Sequence, residues 1–126
     1  MQVSYTQAKI QTLSVEGMRT AYRRIGTSEG TPILFLNHLA ANMDGADPML
    51  LDALAEHFPV IAFDYQGIGR SGGEAPLSVE QMARETIAFV RGLGHTRVHL
   101  LGLSLGGFVA QAMLRLAPEL ISSVIL

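Results

Sequence analysis

Leu100-Leu101-Gly102-Leu103-Ser104-Leu105-Gly106-Gly107 places one serine between two glycines, each two residues away. An apolar run precedes it and an apolar segment with helical spacing follows. That arrangement is the signature of a nucleophile elbow, a sharp strand-to-helix turn that lifts a serine hydroxyl clear of a sheet. The demand behind it is steric. Such a turn strains the serine backbone and brings its second neighbours together, so side chains at those two places would collide. With 8 serines and 13 glycines among 126 residues, chance supplies roughly 0.1 such matches. The flanks therefore decide, and they read as strand and helix.

Val98 to Leu103 reads as a buried strand. Leu105 to Leu116 is expected to be a helix with Phe108, Val109, Ala112, Met113 and Leu116 facing inward, closed by Pro118. Upstream, Ser78 caps a second helix. Gln81 completes a capping box, and Leu77 and Met82 stand at staple positions. Val79, Met82, Ala83, Thr86, Ile87 and Val90 form its inner stripe, and Gly92 and Gly94 end it. Asp47-Pro48 starts an earlier helix, with Asp as cap and Pro in the first turn, carrying Met49, Leu50, Ala53, Leu54 and His57. Ile33 to Leu36 and Val60 to Phe63 are two further short buried strands, and Ile121 to Leu126 opens another. Residues 8–25 read as a hairpin turning at Glu16-Gly17. Strands alternating with helices imply an α/β fold, a mostly parallel sheet with helices on both faces, led by an antiparallel N-terminal hairpin.

Composition narrows the function classes. The chain has 48% hydrophobic and 16% charged residues and a net charge of −2, which leaves no electrostatic footprint for nucleic acid or an anionic membrane. Without cysteine it has no disulfide, thiolate metal site or cysteine nucleophile. Met1-Gln2-Val3-Ser4-Tyr5 lacks a signal-peptide profile, and no apolar run is long enough for a membrane span. A soluble, cytoplasmic chain is expected. His57, His95 and His99 show no metal-ligand spacing, so neither a metal nor a cofactor is expected. Gly67-Ile68-Gly69-Arg70-Ser71-Gly72 matches a dinucleotide fingerprint literally. Such a fingerprint must open a helix directly, however, and here the helix cap comes only at Ser78.

Together, the elbow Gly102 to Gly106, the stretch Asp64-Tyr65-Gln66-Gly67-Ile68-Gly69-Arg70-Ser71 and the loop Leu36-Asn37-His38-Leu39-Ala40 resemble the α/β-hydrolase fold superfamily. The likeness is to its esterase, haloperoxidase-like and enol-lactonase-like branch, and it runs across nearly the whole chain. It implies that 1–126 is the N-terminal part of a single α/β-hydrolase domain acting on a small ester, lactone or related acyl substrate. Ser104 would be the nucleophile, forming an acyl-enzyme. The Leu105 N–H, at the start of a helix, would be one oxyanion-hole donor. The second would come from the loop after Leu36. If Asn37-His38 stands for the family's His-Gly pair, the donor is Leu39. If His38 keeps the histidine place, the donor is Ala40. The first register is preferred, because the strand Ile33 to Leu36 then ends where expected. Gly102 and Gly106 support the elbow, and His38 is expected to orient its loop by hydrogen bonds. Asp64 lies before the serine, the wrong chain order for a triad acid, and is expected to anchor the Gly67–Gly69 turn through backbone N–H groups.

After Ser104 the sequence holds one acid, Glu119, and no histidine. A serine without its base is a poor nucleophile, so the triad cannot be assembled from these residues. A C-terminal segment or a second chain is expected to supply the acid and histidine, leaving the isolated 126 residues inactive. Leu126 falls within an apolar strand, which reads as a fragment of a longer protein and offers an exposed edge for homo-oligomers. Two other classes stand beside this reading: a catalytically inactive α/β-hydrolase-like binding or assembly module, and a nucleotide-binding Rossmann-type domain.

Overall fold

The computed structural model describes residues 3–27, 29–38 and 41–126. A six-stranded sheet has the order β1-β2-β4-β3-β5-β6. Strands β1 (Gln11–Val15) and β2 (Met18–Ile25) form the antiparallel hairpin, turning at Glu16-Gly17, and β2 pairs antiparallel with β4 (Val60–Phe63). From there the sheet is parallel. β3 (Ile33–Leu36) lies between β4 and β5 (Val98–Gly102), and β6 (Ile121–Ile125) flanks β5. The four residues of β3 and the four of β4 are all buried, as apolar runs covered on both faces require.

Alternate strand residues feed two cores. Leu34, Leu36, Ile61, Phe63, Val98 and Leu100 pack with α2 (Val79–Gly92) and α3 (Leu105–Leu116). On the opposite face Ile33, Phe35, Val60 and Ala62 meet α1 (Pro48–Ala55) and the N-terminal 3-10 turn Tyr5–Gln7. Helices thus cover both faces of the sheet. Among the described residues no helix is long and apolar enough to cross a membrane.

Several local readings need correction. The caps form: Asp47 Oδ1 accepts from Met49 N at 2.9 Å and Ser78 Oγ from Gln81 N at 3.0 Å. The box does not close, because Gln81 Nε2 turns to Glu85 at 3.2 Å, and Leu77 is fully exposed and staples nothing. Helix α1 stops at Ala55 and buries Leu51 and Ala55, while His57 lies beyond it. In α3, Phe108 is 64% exposed and the sheet-facing surface is made of Gly106, Gly107, Val109, Ala110, Ala112 and Met113. The small residues face inward because they let this helix approach the sheet closely. The stripe of α2 includes Phe89, whose ring meets Phe63 at 5.3 Å and Tyr22 at 5.5 Å.

Candidate active site

Strand β5 ends at Gly102 and α3 begins at Leu105, so Leu103 and Ser104 alone make the turn. Ser104 sits at φ 55°, ψ −114°. Among the described non-glycine residues only Glu16, in the hairpin turn, shares a positive φ. A conformation of that kind costs on the order of 1–3 kcal/mol and persists only where surrounding structure imposes it. Here the imposing contacts are visible. Leu103 N donates to the Leu36 carbonyl at 3.0 Å, Gly106 N to Leu103 O at 2.9 Å and Gly107 N to Ser104 O at 2.9 Å. A Cβ on Gly102 would lie 2.6 Å from Gly106 O, and one on Gly106 would lie 1.9 Å from Leu36 O. Ser104 is exposed, and its hydroxyl forms no cap on α3. As the first residue of α3, Leu105 has an N–H with no intrahelical partner.

The loop after β3 is tied at both ends. Asn37 is buried, its Oδ1 accepts from His38 N at 2.9 Å and its Nδ2 donates to Asn42 O at 3.0 Å. Its carbonyl accepts from the Tyr65 hydroxyl at 3.3 Å, and burial pushes the Tyr65 phenol up, keeping it a donor. Asn42 Oδ1 in turn caps the 3-10 turn Met43–Gly45, accepting from Asp44 N and Gly45 N at 3.0 and 3.2 Å. From the sequence, Asn37 served only to set the loop register and Asn42 was not singled out, although asparagines in a loop that bond their own backbone are a recognisable turn signal. His38 is exposed, and its carbonyl accepts from Ala41 N at 3.3 Å. Leu39 and Ala40, the two alternative oxyanion donors, lie outside the described residues.

Asp64, at the end of β4, is 1% exposed and spends both carboxylate oxygens on backbone. Oδ2 accepts from Arg70 N at 2.9 Å, inside the glycine-rich turn, and Oδ1 from Met43 N at 2.7 Å, in the loop after β3. Gly69 is at φ 54°, where a Cβ would stand 2.3 Å from Asp64 Oδ2. Ser71 Oγ donates to the Asp64 carbonyl at 2.6 Å and accepts from Ala21 N at 2.9 Å, which fastens the turn to β2. The tie to Arg70 falls one residue past the expected Gly67–Gly69 turn, and the tie to Met43 was not expected from the sequence.

The parts converge at a topological switch point. The chain passes from β3 to β4 on one side and later returns to β5 on the other. The carboxyl ends of β3 and β5 therefore frame a crevice, the place where open α/β sheets bind ligands. A cleft of about 370 Å³ opens there, lined by Phe35, Asn37, Asp47, Gly102 and Leu103 among others. Two histidines are engaged elsewhere: His95 Nε2 faces Arg24 Nη1 at 3.1 Å, and His99 Nδ1 meets Ser123 Oγ at 2.7 Å. Among the described residues no cluster of His, Asp and Glu could hold a metal.

A family model described as alpha/beta hydrolase fold matches residues 31–126. A Haemophilus influenzae protein provisionally named an esterase/lipase is 26% identical over 122 residues, 96% of this chain and 42% of that protein. A Mycobacterium tuberculosis protein provisionally named a non-heme bromoperoxidase is 33% identical over 111 residues, 84% of this chain and 40% of that protein. Among solved structures, an alpha/beta hydrolase fold protein from Chitinophaga pinensis superposes with a TM-score of 0.94 at 32% identity, over 97% of this chain and 44% of that one. The chain thus spans less than half the length of these relatives.

Proposed function

The chain belongs to the alpha/beta hydrolase fold family, and from that premise we propose that it carries the nucleophile half of a serine hydrolase acting on a small ester, lactone or related acyl compound. Ser104 Oγ attacks the acyl carbonyl carbon, and the ester C–O bond breaks as the alcohol leaves with a proton. Water then attacks the acyl-enzyme, releasing the acid and returning the proton to the serine. The Leu105 N–H and a second donor in the loop after β3, Leu39 in the preferred register, hold the developing oxyanion. One such donor is worth about 3 kcal/mol in the transition state.

The observation that carries this reading is the backbone of Ser104, an exposed serine at φ 55° between β5 and α3. Strain of this kind, one residue past Leu103 in the cleft wall, supports a functional role. Gly102 and Gly106 make room for the turn, and Asp64 and His38 belong to the loops beside it. Asp64 is buried and ties two loops through backbone N–H groups, which favours a structural anchor over a triad acid. The acid and the histidine come from a C-terminal segment or a second chain, a reading supported by the relatives' greater length.

A fluorophosphonate probe tests this. The full-length gene product is expected to be labelled at Ser104, with labelling abolished in Ser104→Ala. The isolated 126 residues are expected to react far more slowly, for want of a base. Absence of labelling in the full-length product would overturn the assignment and favour a binding module that retains the fold.

A further inference from the structure

The 3-10 turn Met43–Gly45 ends at Gly45, which lies in the wall of the cleft beside the elbow. Three separate parts of the chain grip this turn closely, beside a longer pairing of Arg70 Nη1 with Asp44 Oδ2 at 3.5 Å. From β4 comes the Asp64 carboxylate on Met43 N at 2.7 Å. From β2 comes Arg23, whose Nη1 pairs with Asp44 Oδ1 at 2.6 Å. The third grip is the N-terminal turn. Tyr5 is 2% exposed and its hydroxyl donates to the Met43 carbonyl. Met43 thus has its N–H and its C=O held by two side chains remote in sequence.

Tyr5 is itself fixed from every side. Its backbone N–H donates to Asp52 Oδ1 of α1 at 2.7 Å, and Ser4 Oγ donates to the other oxygen at 3.0 Å. The Arg23 guanidinium lies over the Tyr5 ring, 5.2 Å from its centroid, and Arg23 Nε donates to the Ala8 carbonyl at 3.3 Å. Burial raises the phenol above its ordinary range, partly offset by Arg23, so the group stays a donor across neutral pH. A protonated, immobilised phenol of this kind is suited to setting a position. It has no route to the cleft itself.

From Met43 the constraint runs back toward the elbow. Asn42, which caps the segment, receives Asn37 Nδ2 on its carbonyl at 3.0 Å, and Asn37 follows Leu36, whose carbonyl receives Leu103 N at 3.0 Å. We propose that Tyr5 is a positioning residue: through the Met43 carbonyl it fixes the far end of the loop joining β3 to α1, and thereby, through Asn42, Asn37 and Leu36, the β3–β5 junction that carries Ser104. The assignment rests on the serine-hydrolase reading given above. It concerns the N-terminal turn, which precedes the region matched by the family model.

The test is Tyr5→Phe in the full-length gene product, which keeps the ring beneath Arg23 and removes only the hydroxyl. Active serine is titrated with a fluorophosphonate, turnover of a p-nitrophenyl ester is expressed per titrated site, and exchange of the 42–45 amides is followed by mass spectrometry. The expected result is a fall in kcat per titrated site of about tenfold, with KM within about twofold and faster amide exchange at 42–45. Asp44→Asn, which loosens the Arg23 grip at a half-exposed position, is expected to move kcat and exchange in the same direction by less. It serves if Tyr5→Phe does not fold. A structural role alone would lower the titrated fraction and the melting temperature and leave kcat per titrated site unchanged, and that result overturns the proposal. If the unsubstituted protein is not labelled at Ser104, the serine-hydrolase reading falls and this assignment with it. If it is labelled and Tyr5→Phe turns over at the same rate per site, only this assignment falls.

Discussion

Gly106 presses against the backbone of Leu36 so closely that a Cβ on it would stand 1.9 Å from the Leu36 carbonyl oxygen. That oxygen already accepts from Leu103 N at 3.0 Å, so it cannot retreat without opening the junction of β3 and β5. The contact joins the first turn of α3 to the middle of the sheet and leaves the strand-to-helix turn only one shape.

Gly106→Ala is accordingly expected to cost about 3 kcal/mol, read from urea denaturation. Its neighbour is the control. A Cβ on Gly107 would meet only Leu126 Cδ2 at 3.6 Å and Gly102 O at 4.0 Å, ordinary contacts. Gly107→Ala is expected to be neutral or to stabilise by up to about 1 kcal/mol through helix propensity. Equal losses at the two glycines would contradict the packing described for this turn.

Ser104→Gly is expected to stabilise the fold while removing fluorophosphonate labelling. The serine hydroxyl makes no cap bond to lose, and its φ of 55° is one that glycine adopts without strain. Offset by the greater freedom of glycine in the unfolded chain, the gain should be about 1 kcal/mol. A destabilised Ser104→Gly would show that the conformation is not strained.

Asp64→Asn tests the double anchor. Asparagine keeps one acceptor but presents an amide N–H to either Met43 N or Arg70 N, now bonded at 2.7 and 2.9 Å. One buried backbone donor is left unpaired, at a cost of about 2 kcal/mol. Hydrogen exchange should quicken at Met43, at Arg70 or at both, while the β3 and β5 amides stay protected.

His95 gives the stability a pH dependence of known sign. Burial first, and then the nearby Arg24 charge, lower its pKa below the ordinary 6.5. Between the lowered value and 6.5 the unfolded chain binds the proton more readily than the folded one, so stability rises with pH across that window. The contribution is complete above 6.5 and is lost as pH falls through the window. In His95→Gln the drop in melting temperature from pH 7 to pH 5 should be smaller. An identical drop would assign the acid sensitivity to other groups.

The parts legible in the sequence were those whose physical demand is local. Two glycines flanking a serine announce a turn that no Cβ can enter, and Asp47-Pro48 and Ser78 announce helix starts. The apolar runs of β3 and β4 announce strands covered on both faces. Helix α3 was harder, because it is apolar nearly all round: Phe108 and Leu114 are exposed while Gly106, Gly107 and Ala110 face the sheet. Hydrophobic periodicity found Val109, Ala112 and Met113 on the inner face, but it put Phe108 there in place of the small residues that let the helix approach the sheet. The grip on Met43 by Tyr5 and Asp64 was not legible at all. Its partners lie far apart in the chain, and a buried tyrosine bonded to a remote carbonyl leaves no trace in local spacing.

The backbone of Ser104 also works as a latch. Its conformation is imposed by the junction of β3 with β5, through Leu36, Leu103 and Gly106. Any excursion that parts those two strands lets the serine relax to an ordinary geometry and gives back the stored energy. Such an opening would release that strain and so would cost less than the hydrogen bonds alone suggest. A ligand seated across the carboxyl ends of β3 and β5 would resist that parting and so would hold Ser104 in its positive-φ geometry.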